Sequence, residues 1–208
     1  MMTDIIEHYD MLVEEENDPV FDPEFLRDYM DRWDGEKFIE SMKLDKRKYV
    51  LEVGVGTGRL AIKVAPQCQG FVGIDISPKT VDRARKNLSL YRNVKLICGD
   101  FTSYLFTERF DVIYSSLTFM HINNKLSAIQ KIASLLNDEG LFVLSIDKNQ
   151  NKYIDMGTRK IKIYPDNPKN IYSYMLKAKL EPIELFETES AYVTVGKKPS
   201  PAGEGGPR

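Results

Sequence analysis

The chain has 208 residues, long enough for one domain with a full hydrophobic core, and its 42% hydrophobic and 29% charged content is ordinary for a globular protein. A net charge of −2 argues against a nucleic-acid-binding surface, and the basic runs at 43–48 and 159–162 read as solvated faces. No apolar stretch reaches the ~18 residues of a membrane span, the first ten residues lack the basic-then-apolar order of a signal peptide, and Cys68 and Cys98 match no zinc spacing, so the expectation is a cytoplasmic protein with two buried free thiols.

In chain order, the charged and aromatic stretch 4–42 comes first. Phe25, Leu26, Tyr29, Met30 and Trp33 recur at helical spacing behind Pro23, which predicts one or two amphipathic helices whose aromatics pack into the core. From Tyr49 the pattern alternates. Apolar strands are expected at 49–53, 70–74, 94–98, 110–115 and 141–146, with helices at 58–65, 78–90 and 123–136 between them. Ser77 stands where it can cap the second of these helices, with Pro78 in its first turn, and Gly140 follows the third. Such alternation predicts an α/β fold, a mostly parallel sheet with helices on both faces. A further helix opens at Asn167-Pro168 and runs to about 179. Two β-type runs at 182–188 and 191–196, joined by Glu189-Ser190, then predict a hairpin and one antiparallel strand. Residues 199–208 are Gly/Pro-rich and read as a disordered tail. The expected organisation is a helical lid or substrate segment at 1–42, the main domain at 43–198 and the tail at 199–208.

Residues 50–60 read Val-Leu-Glu-Val-Gly-Val-Gly-Thr-Gly-Arg-Leu. An apolar strand carries the carboxylate Glu52 and runs into a loop with glycines at Gly54, Gly56 and Gly58, the arrangement that lets a backbone turn sharply and approach a ligand. The third glycine comes one residue too early for a dinucleotide fingerprint, and Arg59 stands where that fingerprint has its last glycine. The Gly-Lys-Ser/Thr close of a P-loop is also missing. Glu52 would repel phosphate and suits a ligand with a cationic end. The alternative is a glycine loop serving only close helix–strand packing.

In an open parallel sheet the ligand lies at the carboxyl ends of the strands. Asp75 closes the second strand about 20 residues after Gly54, the distance at which an acidic residue meets a ribose diol. Asp100 follows the third strand as an acceptor for an exocyclic amine, and Ile76 and Phe101 flank it as faces for a flat base. A lone strand-end Asp also serves as a helix cap or turn residue. Several such ends in consecutive order point to one ligand.

These residues together resemble a class I S-adenosylmethionine-dependent methyltransferase with a generic small methyltransferase domain, over about 49–197. Residues 50–60 resemble the family's first motif, 73–77 its acidic loop, and Gly99-Asp100-Phe101 its adenine motif. Phe110-Asp111-Val112-Ile113-Tyr114 with the following 117–122 resembles its fourth strand and loop, and 135–141 its turn into the fifth strand. The resemblance implies a Rossmann-like three-layer sandwich of seven strands in the order 3-2-1-4-5-7-6, with strand 7 antiparallel. It also implies that S-adenosylmethionine lies with its methionine part over Gly54, Gly56 and Gly58, near Glu52 and the backbone at Ser115. Asp75 would then hold the ribose, and Asp100 and Phe101 the adenine, with Ile76 on the other face of the base.

His121, just after the fourth strand, is a candidate general base, or alternatively a loop histidine packed on the domain. Tyr9 lies in a His-Tyr-Asp segment that resembles the lid of several relatives, although a core or surface tyrosine reads equally well. Asp147 and Asn149 resemble part of a metal-dependent O-methyltransferase site, but Ser115-Ser116 replaces the matching Asp, so no catalytic metal is expected. The fourth strand is followed by neither an Asn/Asp-Pro-Pro-Tyr/Phe nor a Pro-Cys segment, which argues against DNA and base-methylating chemistry. A small-molecule acceptor is favoured, selected by the N-terminal helices and by 148–165, where Tyr153, Met156, Arg159 and Tyr164 would line a pocket. Protein or RNA substrates, a non-catalytic cofactor-binding module and a nicotinamide enzyme stay open.

Overall fold

A computed structural model describes residues 2–201; the expected tail from 202 onward lies outside the described residues. The apolar runs form the sheet. β1 (Tyr49–Val53), β2 (Gly70–Asp75), β3 (Val94–Cys98), β4 (Phe110–Ser116) and β5 (Leu136–Asp147) are joined in parallel. β9 (Ala191–Lys197) runs antiparallel to β5, and β8 (Glu181–Glu187) antiparallel to β9. The strand order is β3-β2-β1-β4-β5-β9-β8. Two short strands, β6 (Tyr153–Asp155) and β7 (Lys160–Lys162), pair in a separate ribbon that periodicity did not reveal. With that ribbon set aside, the sheet follows the expected order 3-2-1-4-5-7-6.

Burial explains which runs became which strands. Central β1 and β4 are buried on both faces and read as near-continuous apolar sequence, whereas edge strand β8 alternates between exposed and half-buried residues. β5 starts five residues earlier than expected. Leu136 pairs with Phe110 before the register shifts, and Glu139 adopts a left-handed φ of 66° in the intervening irregular stretch.

Helices cover both faces. α6 (Lys125–Leu135) and α7 (Pro168–Lys177) place Ile129, Ile132, Ile171 and Met175 against Phe142 and Leu144. On the other face, α3 (Gly35–Glu40), α4 (Ala61–Val64) and α5 (Pro78–Asn87) bring Phe38, Val64 and Ala84 against Val50, Tyr114 and Val143. The caps follow the sequence. The Ser77 hydroxyl accepts from Thr80 N at 3.1 Å with Pro78 in the first turn, and Asn124 and Asn167 cap α6 and α7.

The N-terminal segment departs from expectation. It holds α1 (Ile5–Glu14) and α2 (Glu24–Met30) ahead of α3, and α2 buries no residue. Phe25, Leu26 and Tyr29 are exposed rather than core residues. Cys98, expected to be buried, is exposed, while Cys68 is buried and its thiol pushed up to about 11 by desolvation. No helix among the described residues is long and apolar enough to cross a membrane.

Candidate functional site

The glycine loop leaves β1 in conformations that depend on glycine. Gly54 has φ +82°, and a Cβ there would sit 1.9 Å from Thr118 Oγ1, so the loop and the segment after β4 touch backbone to side chain. This contact forms one wall of a cavity of about 970 Å³ at the carboxyl ends of β1 to β4, at the upper end of the roughly 300–1,000 Å³ usual for ligand sites. Of the residues singled out from sequence, Tyr9, Glu52, Gly54, Gly56, Asp75, Ile76, Asp100, Phe101 and His121 all line it.

Gly58 and Ser115 do not line it. Gly58 (φ +102°) faces inward, where a Cβ would meet Leu88 at 3.1 Å, so its role is packing. Ser115 is fully buried, with its hydroxyl donating to Val53 O at 2.8 Å across β1 and β4. Ser116, at the end of β4, and Leu117 and Thr118, beyond it, line the cavity instead. Tyr153 and Met156 are solvent-exposed, Arg159 is buried elsewhere, and Tyr164 lines a smaller adjoining cavity, so none of these four borders the large one.

The carboxylates differ in their surroundings. Glu52 is buried and accepts from the Tyr114 hydroxyl at 2.8 Å; burial holds its carboxyl well above the usual range despite that bond and the Arg59 charge. Asp75 accepts from the backbone N–H of Gly56 (3.0 Å) and Ser77 (3.1 Å), and burial raises it while these donors pull it down. Asp100 organises its own loop, accepting from Thr102 N at 2.7 Å. Behind it Lys131 donates to Thr102 O and Tyr104 O and lies 5.2 Å from the Phe101 ring centroid.

Tyr9 reaches the cavity from α1. Its hydroxyl and His121 Nε2 share a hydrogen bond of 2.7 Å, and the rings meet edge to face. The other ring nitrogen, Nδ1, is buried without a partner, and burial, with His8 and Lys125 nearby, brings the imidazole down to about 4. Tyr9 is raised above its ordinary value by burial and by Asp75. The turn carrying His121 is pinned by Lys125, whose ammonium donates to Phe119 O (2.7 Å) and Ile122 O (3.0 Å) and pairs with Asp166 at 2.9 Å.

Sequence reasoning did not find the contacts that hold the N-terminal segment down. Asp34, with a side chain 0% exposed, pairs with Arg59 of the glycine loop and accepts from Ser116 Oγ at 2.8 Å, while Asp31 adds a second carboxylate to Arg59 at 3.3 Å. Asp10 accepts from Ser77 Oγ (2.6 Å) and Lys79 N (3.1 Å) at the start of α5. Arg159 Nε donates to His8 Nδ1 at 3.0 Å, and its Nη1 and Nη2 grip Glu15 at 2.6 and 2.8 Å. An arginine in an apolar neighbourhood, such as Arg59 between Gly58 and Leu60, was the available signal, since such a cation must find a carboxylate.

A family model described as a methyltransferase domain matches residues 44–183. The chain is 29% identical over 120 residues to malonyl-[acyl-carrier protein] O-methyltransferase 1 of Ilyobacter polytropus, covering 57% of this chain and 44% of that enzyme. It thus spans less than half the length of that curated relative. The fold is similar to a chain in the complex between the Haloferax volcanii Trm112 methyltransferase activator and the putative methyltransferase, with a TM-score of 0.76 at 16% identity over 97% of this chain and 100% of that one. It is also similar to the N-methyltransferase NodS from Bradyrhizobium japonicum in complex with S-adenosyl-L-homocysteine, with a TM-score of 0.72 at 15% identity over 94% and 98%. At these identities the structural likeness concerns the fold.

Proposed function

Because this chain belongs to the methyltransferase domain family, an S-adenosylmethionine-dependent family, we propose that it transfers a methyl group from S-adenosylmethionine to a small-molecule acceptor by in-line displacement. The observation that carries this reading is the single cavity in which Glu52, Gly54, Gly56, Asp75, Ile76, Asp100 and Phe101 meet under a roof made by Tyr9. The residues present fit the cofactor. The loop has neither of the phosphate-binding glycine spacings, Asp75 faces the cavity with lone pairs beyond its two backbone donors, and Glu52 lines the cavity beside the loop, where a cationic amino-acid end would draw its raised carboxyl toward the ionised form. When bound, the cofactor supplies an activated methyl group on a sulfonium.

The chain's own residues do the rest. Asp75 accepts from the ribose hydroxyls, Ile76 and Phe101 face the adenine, and Asp100 takes its amine. The N-terminal segment up to residue 42 acts as a lid, held by Asp34 on Arg59 and Arg159 on Glu15. Closure by Tyr9 excludes water and restricts the acceptor to the line of attack; alignment of this kind lowers barriers by up to about 7–11 kcal/mol. With Nε2 engaged by Tyr9 and Nδ1 sealed from solvent, neither nitrogen of His121 is offered to an acceptor. We therefore give His121 the role of anchoring Tyr9 rather than that of general base.

The cavity's volume of about 970 Å³ supports a small acceptor over a macromolecular one. Asp22, Asp75 and Asp100 on the wall, against Arg59 and Lys131, also offer no basic surface for RNA. The free thiols Cys68 and Cys98 fit a reducing cytoplasm. Calorimetry with S-adenosylhomocysteine and with NAD tests the reading. Binding of the former alone is expected, and binding of NAD alone overturns it.

A further inference from the structure

Ile5, Tyr9, Leu12 and Val13 recur at helical spacing along α1 and so share one face of it. All four line the cavity and are only half-buried, whereas the residue of α1 that is buried in protein is His8. α2 repeats the pattern. It buries no residue, and Leu26, Tyr29 and Met30, again on one face, line the same cavity. An amphipathic helix ordinarily packs its apolar stripe against a core. Here two stripes border open space instead. The polar wall residues of this segment, Asn17 and Asp22, lie in the connection between the helices.

Both stripes are tied to the glycine loop. Thr118 packs against Gly54 and His121 is bonded to Tyr9, so Leu117 and Met120, which line the cavity in the same stretch, run from the loop toward α1. Met30 precedes Asp31, whose carboxylate lies 3.3 Å from Arg59 at the end of the loop. The two cations on the wall are placed away from a ligand here. Arg59 is engaged by Asp31 and Asp34. Lys131 keeps its charge but stands beside the Phe101 ring, at the end assigned to adenine, with its ammonium on Thr102 O and Tyr104 O.

On the reading that the site is a methyltransferase site, we infer that the acceptor is a hydrocarbon-rich molecule without an anionic group, and that Leu12, Met30, Leu117 and Met120 select it by covering its apolar body beside the glycine loop. The polar parts of the cofactor are met by Glu52, Asp75 and Asp100 at the strand ends, and the space it leaves is bordered by the two helical stripes. A methyl acceptor has to reach the donor within the same cavity, so the acceptor occupies that space. Its hydrocarbon and the stripes are removed from water together, which drives binding. An anion there would lose its hydration and find no free cation to replace it.

The test is calorimetric titration of butan-1-ol, hexan-1-ol, octan-1-ol and octanoate into the full chain saturated with S-adenosylhomocysteine. Affinity should rise roughly threefold to fourfold with each added methylene, and octanoate should bind about tenfold more weakly than octan-1-ol. Leu12→Asn and Met30→Gln keep side-chain size and add polarity. Each should weaken octan-1-ol about threefold or more while leaving S-adenosylhomocysteine affinity unchanged, which also reports that the variants are folded. An affinity independent of chain length, octanoate binding as tightly as octan-1-ol, or an octan-1-ol affinity untouched by both variants overturns the inference. So does a parallel loss of S-adenosylhomocysteine affinity in variants that melt as the wild type does, because the stripes would then cover the cofactor. If S-adenosylhomocysteine does not bind the wild type, the methyltransferase reading fails instead.

Discussion

Tyr9 and His121, 112 positions apart, meet in one hydrogen bond of 2.7 Å that joins the first helix to the turn after β4. Both residues line the cavity that borders the glycine loop, and the bond occupies one of the two ring nitrogens of His121. Tyr9→Phe removes it while keeping the ring. We expect S-adenosylhomocysteine to bind about fivefold more weakly, from the loss of one hydrogen bond worth about 1 kcal/mol. Unchanged affinity would mean that the lid closes without this contact.

The depressed His121 imidazole makes stability depend on pH. Its ordinary value is 6.5 and the folded value is about 4, so between these the unfolded chain binds more protons than the folded one. Its contribution is fully present above about 6.5 and is lost as the pH falls toward 4. His121→Gln should flatten the fall in melting temperature across this window relative to the wild type, with His8 common to both proteins. Parallel curves would show that the imidazole is not desolvated as described.

Asp75 lines the cavity and accepts from Gly56 N and Ser77 N, which leaves lone pairs for the proposed ribose contact. Asp75→Ala should weaken S-adenosylmethionine binding by about 1.5–3 kcal/mol. An affinity equal to that of the wild type by calorimetry would place the ribose elsewhere.

Gly54→Ala combines a left-handed φ with a collision against Thr118. Backbone strain alone costs about 1–3 kcal/mol, so both cofactor affinity and melting temperature should fall. Adding Thr118→Gly removes the collision and should recover part of the loss; no recovery would mean that the backbone conformation carries the whole effect.

Asp34 and Arg59 form a buried ion pair, and removing Asp34 leaves Arg59 only the partly exposed Asp31. Asp34→Ala should lower unfolding free energy by about 3–5 kcal/mol, read as a shift in the urea midpoint. Asp34→Ala with Arg59→Leu should cost less than the sum of the two single changes. Strict additivity would show that the pair is not coupled.

The chemistry proposed here uses no metal, and among the described residues no group of three or more His, Cys, Asp or Glu side chains could hold one. Dialysis against a chelator should leave the methylation rate unchanged. A loss restored by a divalent ion would reopen the reading of Asp147 and Asn149.

Much of this molecule was legible from residue order alone, because its causes are local. Buried parallel strands need unbroken apolar runs, helix starts need Ser77 or Asn167, and the glycine loop needs residues that tolerate positive φ; each requirement leaves its mark within a few neighbours. Asp75 and Asp100 were legible for the same reason, since a strand's end fixes where the next residue points. The lid was not. Tyr9 with His121, Asp34 with Arg59, and Arg159 with His8 and Glu15 join residues far apart in the chain, and nothing in local spacing selects one partner over another. Likewise the aromatic spacing of α2 predicted a core-facing helix. Periodicity marks an apolar face without saying what covers it, and only the tertiary structure showed that Phe25 and Tyr29 stay exposed, with Tyr29 on the cavity wall.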